Sequence, residues 1–326
     1  MVKIGRNFTN LLELDYVSKE DRERFKKGEI DVPDLDALVQ IKFKRDIPRQ
    51  IEVAKEIGLD HIELDGGVPN PFLEMSEEEI KKAKQAAKES GITISLHLPY
   101  TYVGASTCAF QESDRELAVT LQKRYLKFAQ GVGAINAIMH PGTVPFYQAG
   151  PQYQEDLKKS LIKSLVELAK TSKELGICFH VENNTTFDIV FVEPEEIYPI
   201  IEEVRKTGLE IHYCFDIGHW FTRADGTPPK EIPDPPESIM EKIPAELLKE
   251  IHLNDYIPKI KKFHPPLHYQ KGPLRKKNLE RFAQIVKEKR IELIVVETAV
   301  RDPEELVSAH KLLRDETDYL NEIFKK

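Results

Sequence analysis

Short runs of apolar and β-branched residues alternate along the chain with longer stretches whose apolar positions recur every three or four residues. A brief apolar run suits a strand buried on both faces, and the three-to-four spacing suits an amphipathic helix laid over it. The runs predict eight strands, at Lys3–Arg6, His61–Asp65, Thr93–Leu98, Ala134–His140, Cys178–Glu182, Ile211–Asp216, Glu250–Leu253 and Glu292–Glu297. Helices are predicted between them over Ser76–Ser90, Glu112–Gln130, Glu155–Glu174, Pro194–Thr207, Lys276–Lys289 and Pro303–Phe324. Ser76 with Glu79 reads as a capping box, and Gly91, Gly176 and Gly208 stand where helices close on a left-handed residue. Ile80, Ala83, Ala86 and Ala87 mark one buried helix face. This rhythm predicts an α/β fold, a (β/α)8 TIM barrel formed by residues 1–326 as a single domain. The alternative, an open doubly wound sheet, calls for a GxGxxG turn after the first strand, and the chain has none there. Two connections exceed ordinary turns, Asn10–Lys44 after the first strand and the Pro-rich Trp220–Ser238 after the sixth. Both follow strands, so they would border the catalytic face and could act as lids.

The residues that close the strands carry the chemistry. The third ends in His97-Leu98-Pro99-Tyr100 and the fourth in His140-Pro141-Gly142. The fifth ends in Glu182-Asn183-Asn184 and the sixth in Asp216-Ile217-Gly218-His219. The seventh gives His252-Leu253-Asn254-Asp255 and the eighth Glu297-Thr298. A charged or imidazole group straight after an apolar run is costly unless something satisfies it. In a barrel these strand ends converge on one mouth, where carboxylates and imidazoles together make a divalent-metal site. Two Glu, one Asp and several His suit Mn²⁺, Co²⁺ or Zn²⁺ better than Ca²⁺, which prefers oxygen cages. Any one of these residues has a plain structural alternative: Glu297 as half of an ion pair, Asp216 as a helix cap, a lone His as a satisfied polar group. Six successive strands ending this way argue for the site as a whole.

Composition narrows the picture. Lys and Arg number 47 against 55 Asp and Glu, a formal charge of −8, so nothing in the overall charge favours nucleic acid as a partner. A chain that is 31% charged, mostly through Lys and Glu, has a mix common in heat-stable proteins. Cys108, Cys178 and Cys214 show no CxxC spacing, which suits a reducing compartment. The start, MVKIGRNF, carries no signal-like apolar stretch and no run approaches membrane-spanning length, so the expectation is a soluble cytoplasmic protein.

These strand ends resemble the xylose isomerase-like TIM-barrel superfamily, which holds sugar and sugar-phosphate isomerases and epimerases together with endonuclease IV (AP endonuclease family 2). In the ketose 3-epimerase branch one metal is held from the last four strands, at positions matching Glu182, Asp216, His252 and Glu297, and the step from Asp216 to His219 matches as well. The endonuclease IV branch adds imidazoles at positions resembling His97 and His140, and an Asp-x-His pair after the seventh strand. His268 fits the second member of that pair, with Pro266 in place of the Asp. The chain also departs from that branch after strand six and after Asn254-Asp255, which points away from a DNA-repair nuclease.

The resemblance implies a metal-dependent isomerase or epimerase of a sugar or sugar phosphate, with one to three ions. Glu182 and Glu297 would pass a proton at the carbon beside a carbonyl, and His219 would touch the substrate oxygens or a metal-bound water. The alternative it implies is a multi-metal, zinc-type phosphodiesterase that uses His97, His140, His219 and His268 as further ligands. Relatives often form homo-oligomers. Arg6, Trp220 and Lys271 are candidate substrate contacts, the last in a basic loop with Lys259, Lys261, Lys262 and Arg275. Packing for Trp220 and simple solvation for the basic loop are the competing readings. Asp65 could orient a substrate hydroxyl or serve its turn, and Asp255 could support His252 or cap its loop.

Overall fold

A computed structural model describes residues 2–325. Ten strands form: β1 (Lys3–Asn7), β2 (His61–Asp65), β3 (Thr93–His97), β4 (Asn136–Met139), β5 (Cys178–Glu182), β6 (His212–Asp216), β7 (Leu248–His252), β8 (Tyr256–Ile257), β9 (Lys262–Phe263) and β10 (Leu293–Val296). Eight of them close a barrel in the order β1-β10-β7-β6-β5-β4-β3-β2, every neighbouring pair parallel. The barrel expected from the sequence is therefore present, with strand limits shifted by a residue or two. β8 and β9 form a small antiparallel hairpin in the loop after β7.

Side chains alternate between the lumen and the surrounding helix layer, as the pleat requires. Ile62, Leu64, Ile94, Leu96, Phe179, Val181, Tyr213, Phe215, Ile251 and Ile294 are all buried and belong to the apolar set that packs under the helices. The lumen is unusual. Barrel interiors are commonly filled by branched apolar residues, but here His61, Glu63, Ser95, His180, Cys214 and Glu250 are all buried along it. His61 shows how tightly they fit: its ring sits between Thr93 Oγ1 and Ser95 Oγ, each 2.8 Å away. A Cβ at Gly5 would lie 2.6 Å from that ring, so the neighbouring strand needs glycine at this point.

The helices that wrap the barrel include α3 (Ile47–Glu56), α4 (Glu77–Ser90), α5 (Glu112–Val132), α6 (Gln154–Leu175), α7 (Pro194–Arg205) and α10 (Lys276–Lys289). Ser76 caps α4 with Glu79 in the expected box, and α4, α5 and α6 end on left-handed Gly91, Gly133 and Gly176. The stretch after β1, read from the sequence as one long connection, folds into α1 (Lys19–Lys26) and α2 (Val32–Arg45). Ser18 and Asp31 cap them, and Phe25, Leu35, Val39 and Phe43 are buried beneath. The final predicted helix is broken near Ser308 into α11 (Pro303–Val307) and α12 (Ala309–Phe324). Between β6 and β7 run α8 (Ile217–Phe221), α9 (Ile239–Lys242) and three short 3-10 turns. Among the described residues no helix is long and apolar enough to cross a membrane.

Candidate metal centre

The parallel register places ligand-type residues at one height. Glu182 stands opposite Cys214, Asp216 opposite His252, and Asp65 opposite His97. Glu182 is the hub. His97 Nε2 lies 3.0 Å and His140 Nε2 3.5 Å from its Oε2, while His219 Nδ1 and His252 Nδ1 lie 3.1 and 3.2 Å from Oε1. His252 Nδ1 is also 3.7 Å from Glu297 Oε2 and 4.0 Å from Asp216 Oδ2. Asn254 ties two carboxylates together, its Nδ2 donating to Asp216 Oδ2 at 2.6 Å and to Glu297 Oε2 at 3.1 Å. The Glu297 backbone N–H returns a bond to Asn254 Oδ1 at 2.8 Å, which fixes the amide. Asp216 caps α8 by accepting from the His219 N–H at 2.7 Å, so one carboxylate both starts the helix and aims His219 at the mouth.

Seven of the eight sequence-predicted ligands come together here: His97, His140, Glu182, Asp216, His219, His252 and Glu297. They fall into overlapping sets whose donor atoms lie within 4.8 Å of one another: His97–His140–Glu182, His97–His252–Glu297, Glu182–Asp216–His252–Glu297 and, with His264, Asp216–His219–His264–Glu297. His268 corrects the expectation. Its ring packs edge-on to Tyr269, half-buried, and joins none of these sets. The imidazole delivered by the loop after β7 is His264, stacked on His219 at 5.3 Å and 3.9 Å from Glu297 Oε2. Two His flank Pro265-Pro266, and spacing alone cannot choose between them; the β8–β9 hairpin turns the first one inward. Two residues before it stands Lys262, facing Glu305 at 4.0 Å, so the Asp of an Asp-x-His pair is missing here too.

The donors fit a divalent ion. They are buried carboxylates and imidazoles with no Lys or Arg among the residues lining the cavity above them. Protons take the place of positive charge without a metal. Burial works against a charged His97, but the Glu182 bond and charge outweigh it and raise its pKa to about 9. His219 is carried to about 10 in the same contest, chiefly by Asp216 and Glu182, and His252 well above its ordinary value. Burial dominates at His140 and His264, which fall to about 4. Burial with the neighbouring carboxylates lifts Glu297 to about 8, whereas the imidazoles hold Glu182 well below its usual range.

The cavity over the centre holds about 430 Å³ and is walled by Asn7, Thr9, Asp65, Tyr100, Thr143, Asn184 and other polar residues. None of the three predicted substrate contacts reaches it. Arg6 points to the outside of the barrel, where its Nη2 meets Glu316 Oε2 at 2.6 Å with both side chains buried. Trp220 is buried, donates to Glu193 at 2.9 Å and lies under the Arg223 guanidinium. Lys271 rests over the Tyr269 ring. Asp65 does line the cavity, and is held by Lys44 at 2.8 Å and by the Gly67 N–H at 2.7 Å. Asp255 caps its own loop through the N–H groups of Tyr256 and Leu274. The Arg6 correction carries a test. Glu316→Ala leaves a buried guanidinium without its counter-charge, at a cost of roughly 3–5 kcal/mol. Thermal denaturation is expected to show that loss with metal content unchanged; a loss of bound metal would return Arg6 and Glu316 to the site.

The barrel and the ligand-bearing strand ends define the class, and sequence comparison agrees: the chain belongs to the xylose isomerase-like TIM barrel family, whose model matches residues 51–323. Among solved structures it resembles a D-tagatose 3-epimerase-like protein (17% identity, TM-score 0.63, 98% of this chain and 99% of that one). It also resembles D-psicose 3-epimerase from Clostridium cellulolyticum H10 solved with D-tagatose (13%, TM-score 0.65, 86% and 94%). A third is the IOLI protein with a bound zinc atom (12%, TM-score 0.67, 100% of both chains). At these identities the likeness is one of fold. An uncharacterised protein of Methanocaldococcus jannaschii is 30% identical over 138 residues, 42% of this chain, which thus spans about half (50%) of that relative's length.

Proposed function

We propose that the protein is a divalent-metal isomerase or epimerase of a sugar or sugar phosphate, transferring a proton at the carbon next to a carbonyl. The observation that carries this is the placement of Glu182 and Glu297. They rise from β5 and β10, three strands apart around the barrel, with Asp216 and His252 between them, under a cavity walled by hydroxyl, amide and carboxylate groups. The epimerase-like neighbours in the same fold support the substrate class.

Glu182, Asp216, His252 and Glu297 would hold the ion, which would supply the charge that acidifies a C–H beside a carbonyl. Glu297 opens onto the cavity and is placed to take that proton. Glu182 stands across from it for return of a proton to the other face. His219 lines the cavity and orients a substrate oxygen, while Asn254 keeps Asp216 and Glu297 from swinging apart. Thr9, Asn184 and Asp65 offer partners for sugar hydroxyls.

A second reading has its own observation. Among the described residues the donors form five overlapping sets, more than one ion needs. That favours a multi-metal phosphodiesterase in which His97, His140 and His264 are ligands. One experiment separates the two: elemental analysis of metal-loaded protein, with assays for deuterium exchange from D2O into a panel of ketoses and for cleavage of bis(p-nitrophenyl) phosphate. About one ion with exchange supports the isomerase; two or three ions with cleavage and no exchange supports the hydrolase; no metal binding overturns both. Under the first reading Glu297→Gln is expected to lower exchange by roughly 10²–10⁴-fold. Near-normal exchange in that variant would sink the assignment.

A further inference from the structure

His252 looks both ways. Its Nδ1 faces Glu182 and Glu297, while its Nε2 points down into the lumen, fully buried and without a hydrogen-bond partner. The carboxylate beside Nε2 is Glu63 of β2, Oε2 at 3.4 Å, itself fully buried. Nothing about Glu63 singled it out in the sequence: it sits mid-strand in His61-Ile62-Glu63-Leu64-Asp65, where an apolar barrel-filler is usual. A carboxylate with no exposure is expensive to keep unless it has work to do. Glu63 is nonetheless anchored with care. Ser95 Oγ donates to its Oε2 at 3.2 Å, and the His61 ring, 2.8 Å from that hydroxyl, backs Ser95 in turn. Its Oε1 has no partner at all.

We infer that Glu63 is a positioning residue for the metal centre: it accepts the Nε2–H of His252, so that the lone pair on Nδ1 points at the ion. This rests on the reading of His252 as a metal ligand. A metal-bound imidazole must be neutral, and which nitrogen is free to bind is set by what the other one bonds to. Here Nδ1 is on the metal side and the lumen supplies an acceptor on the far side. At 3.4 Å the pair needs only a small shift of distance and ring direction to make an ordinary N–H···O bond. The anionic partner also makes the ring a stronger donor to the ion. Glu250 shares the same pocket, but Asn136 Nδ2 already holds its Oε2 at 2.5 Å, and it approaches His252 less closely than Glu63 does.

The test uses the full-length protein loaded with cobalt(II). Its affinity is read by competition with a chromophoric chelator, and the exchangeable ring N–H of His252 is read as a hyperfine-shifted proton resonance. Glu63→Ala is expected to weaken cobalt binding roughly 10–100-fold and to lose that one resonance to fast solvent exchange. Glu63→Gln keeps an acceptor oxygen, so it should retain the resonance at a changed shift and restore most of the affinity. Glu250→Gln, the control, should leave both unchanged. Unaltered affinity and resonance in Glu63→Ala, or equal effects from Glu250→Gln, would overturn the inference. If Glu63→Ala does not fold, an unshifted resonance in Glu63→Gln overturns it alone. Failure of the unaltered protein to take up cobalt would instead remove the metal reading, and this inference with it.

Discussion

Glu182→Gln is expected to abolish stable metal binding, the largest effect of any single substitution in the centre. Glu182 is the one residue common to the His97–His140 set and the Asp216–His252–Glu297 set, and its two oxygens face four imidazole nitrogens. Glutamine keeps the volume but removes the charge and turns one oxygen into a donor, which an imidazole nitrogen's partner ion cannot share. The loss should exceed about 10²-fold, the effect already typical of deleting a residue that merely supports a ligand. Folding should survive. Without the carboxylate, burial favours neutral His97, His219 and His252, and imidazoles release their protons readily near neutral pH. The measurement is metal content by elemental analysis after zinc loading and desalting, beside a melting curve of the same sample. Stoichiometric zinc in Glu182→Gln would mean that the ion sits elsewhere.

The barrel was legible because each strand is a short apolar run with a different kind of residue at its end. The metal-centre candidates were legible for the same reason: Glu182, Asp216, His252 and Glu297 each close an apolar run, and parallel register brings such ends level. What the sequence hid has particular causes. α1 is rich in charge and buries only Phe25, so it shows no helical stripe; α2 does carry one, at Val32, Leu35, Val39 and Phe43, inside the stretch read as one long connection. His264 could not be told from His268, because the choice depends on a two-residue hairpin with no turn signature. Arg6 closes the first strand as read from the sequence and looks available to a substrate, but β1 runs on to Asn7, and alternation sends residue 6 outward to Glu316 and leaves Asn7 facing the cavity. Glu63 was invisible because a carboxylate in mid-strand acquires meaning only when His252 is seen above it.

Metal uptake by this centre is expected to release protons and to strengthen steeply with pH. Without a metal, His97 titrates at about 9, His219 at about 10 and His252 well above its ordinary value, each held charged against burial by the carboxylates around it. Glu297, lifted to about 8 by burial and its acidic neighbours, also carries a proton at neutral pH. Whichever of these groups binds an ion must first be deprotonated. Glu182, held well below its usual range, and His140 and His264, at about 4, have none to give at neutral pH. An ion held by Glu182, Asp216, His252 and Glu297 displaces a proton from His252 and one from Glu297, and release of those two protons makes affinity grow about 100-fold per pH unit, or roughly 10⁴-fold between pH 6 and pH 8. Stability follows with opposite signs in the two forms. In the metal-free protein the raised imidazoles contribute stability that is complete below their unfolded value near 6.5 and is lost as pH rises through about 9 to 10. In the loaded protein, falling pH instead returns protons to the ligands and drives the ion out. The gap in melting temperature between loaded and metal-free protein should therefore widen from pH 6 to pH 8. Calorimetric titration with zinc in two buffers of different ionisation heat counts the protons directly. Zero net release, or an affinity flat across that range, would show that these groups carry no proton before the metal arrives and would overturn the protonated empty centre.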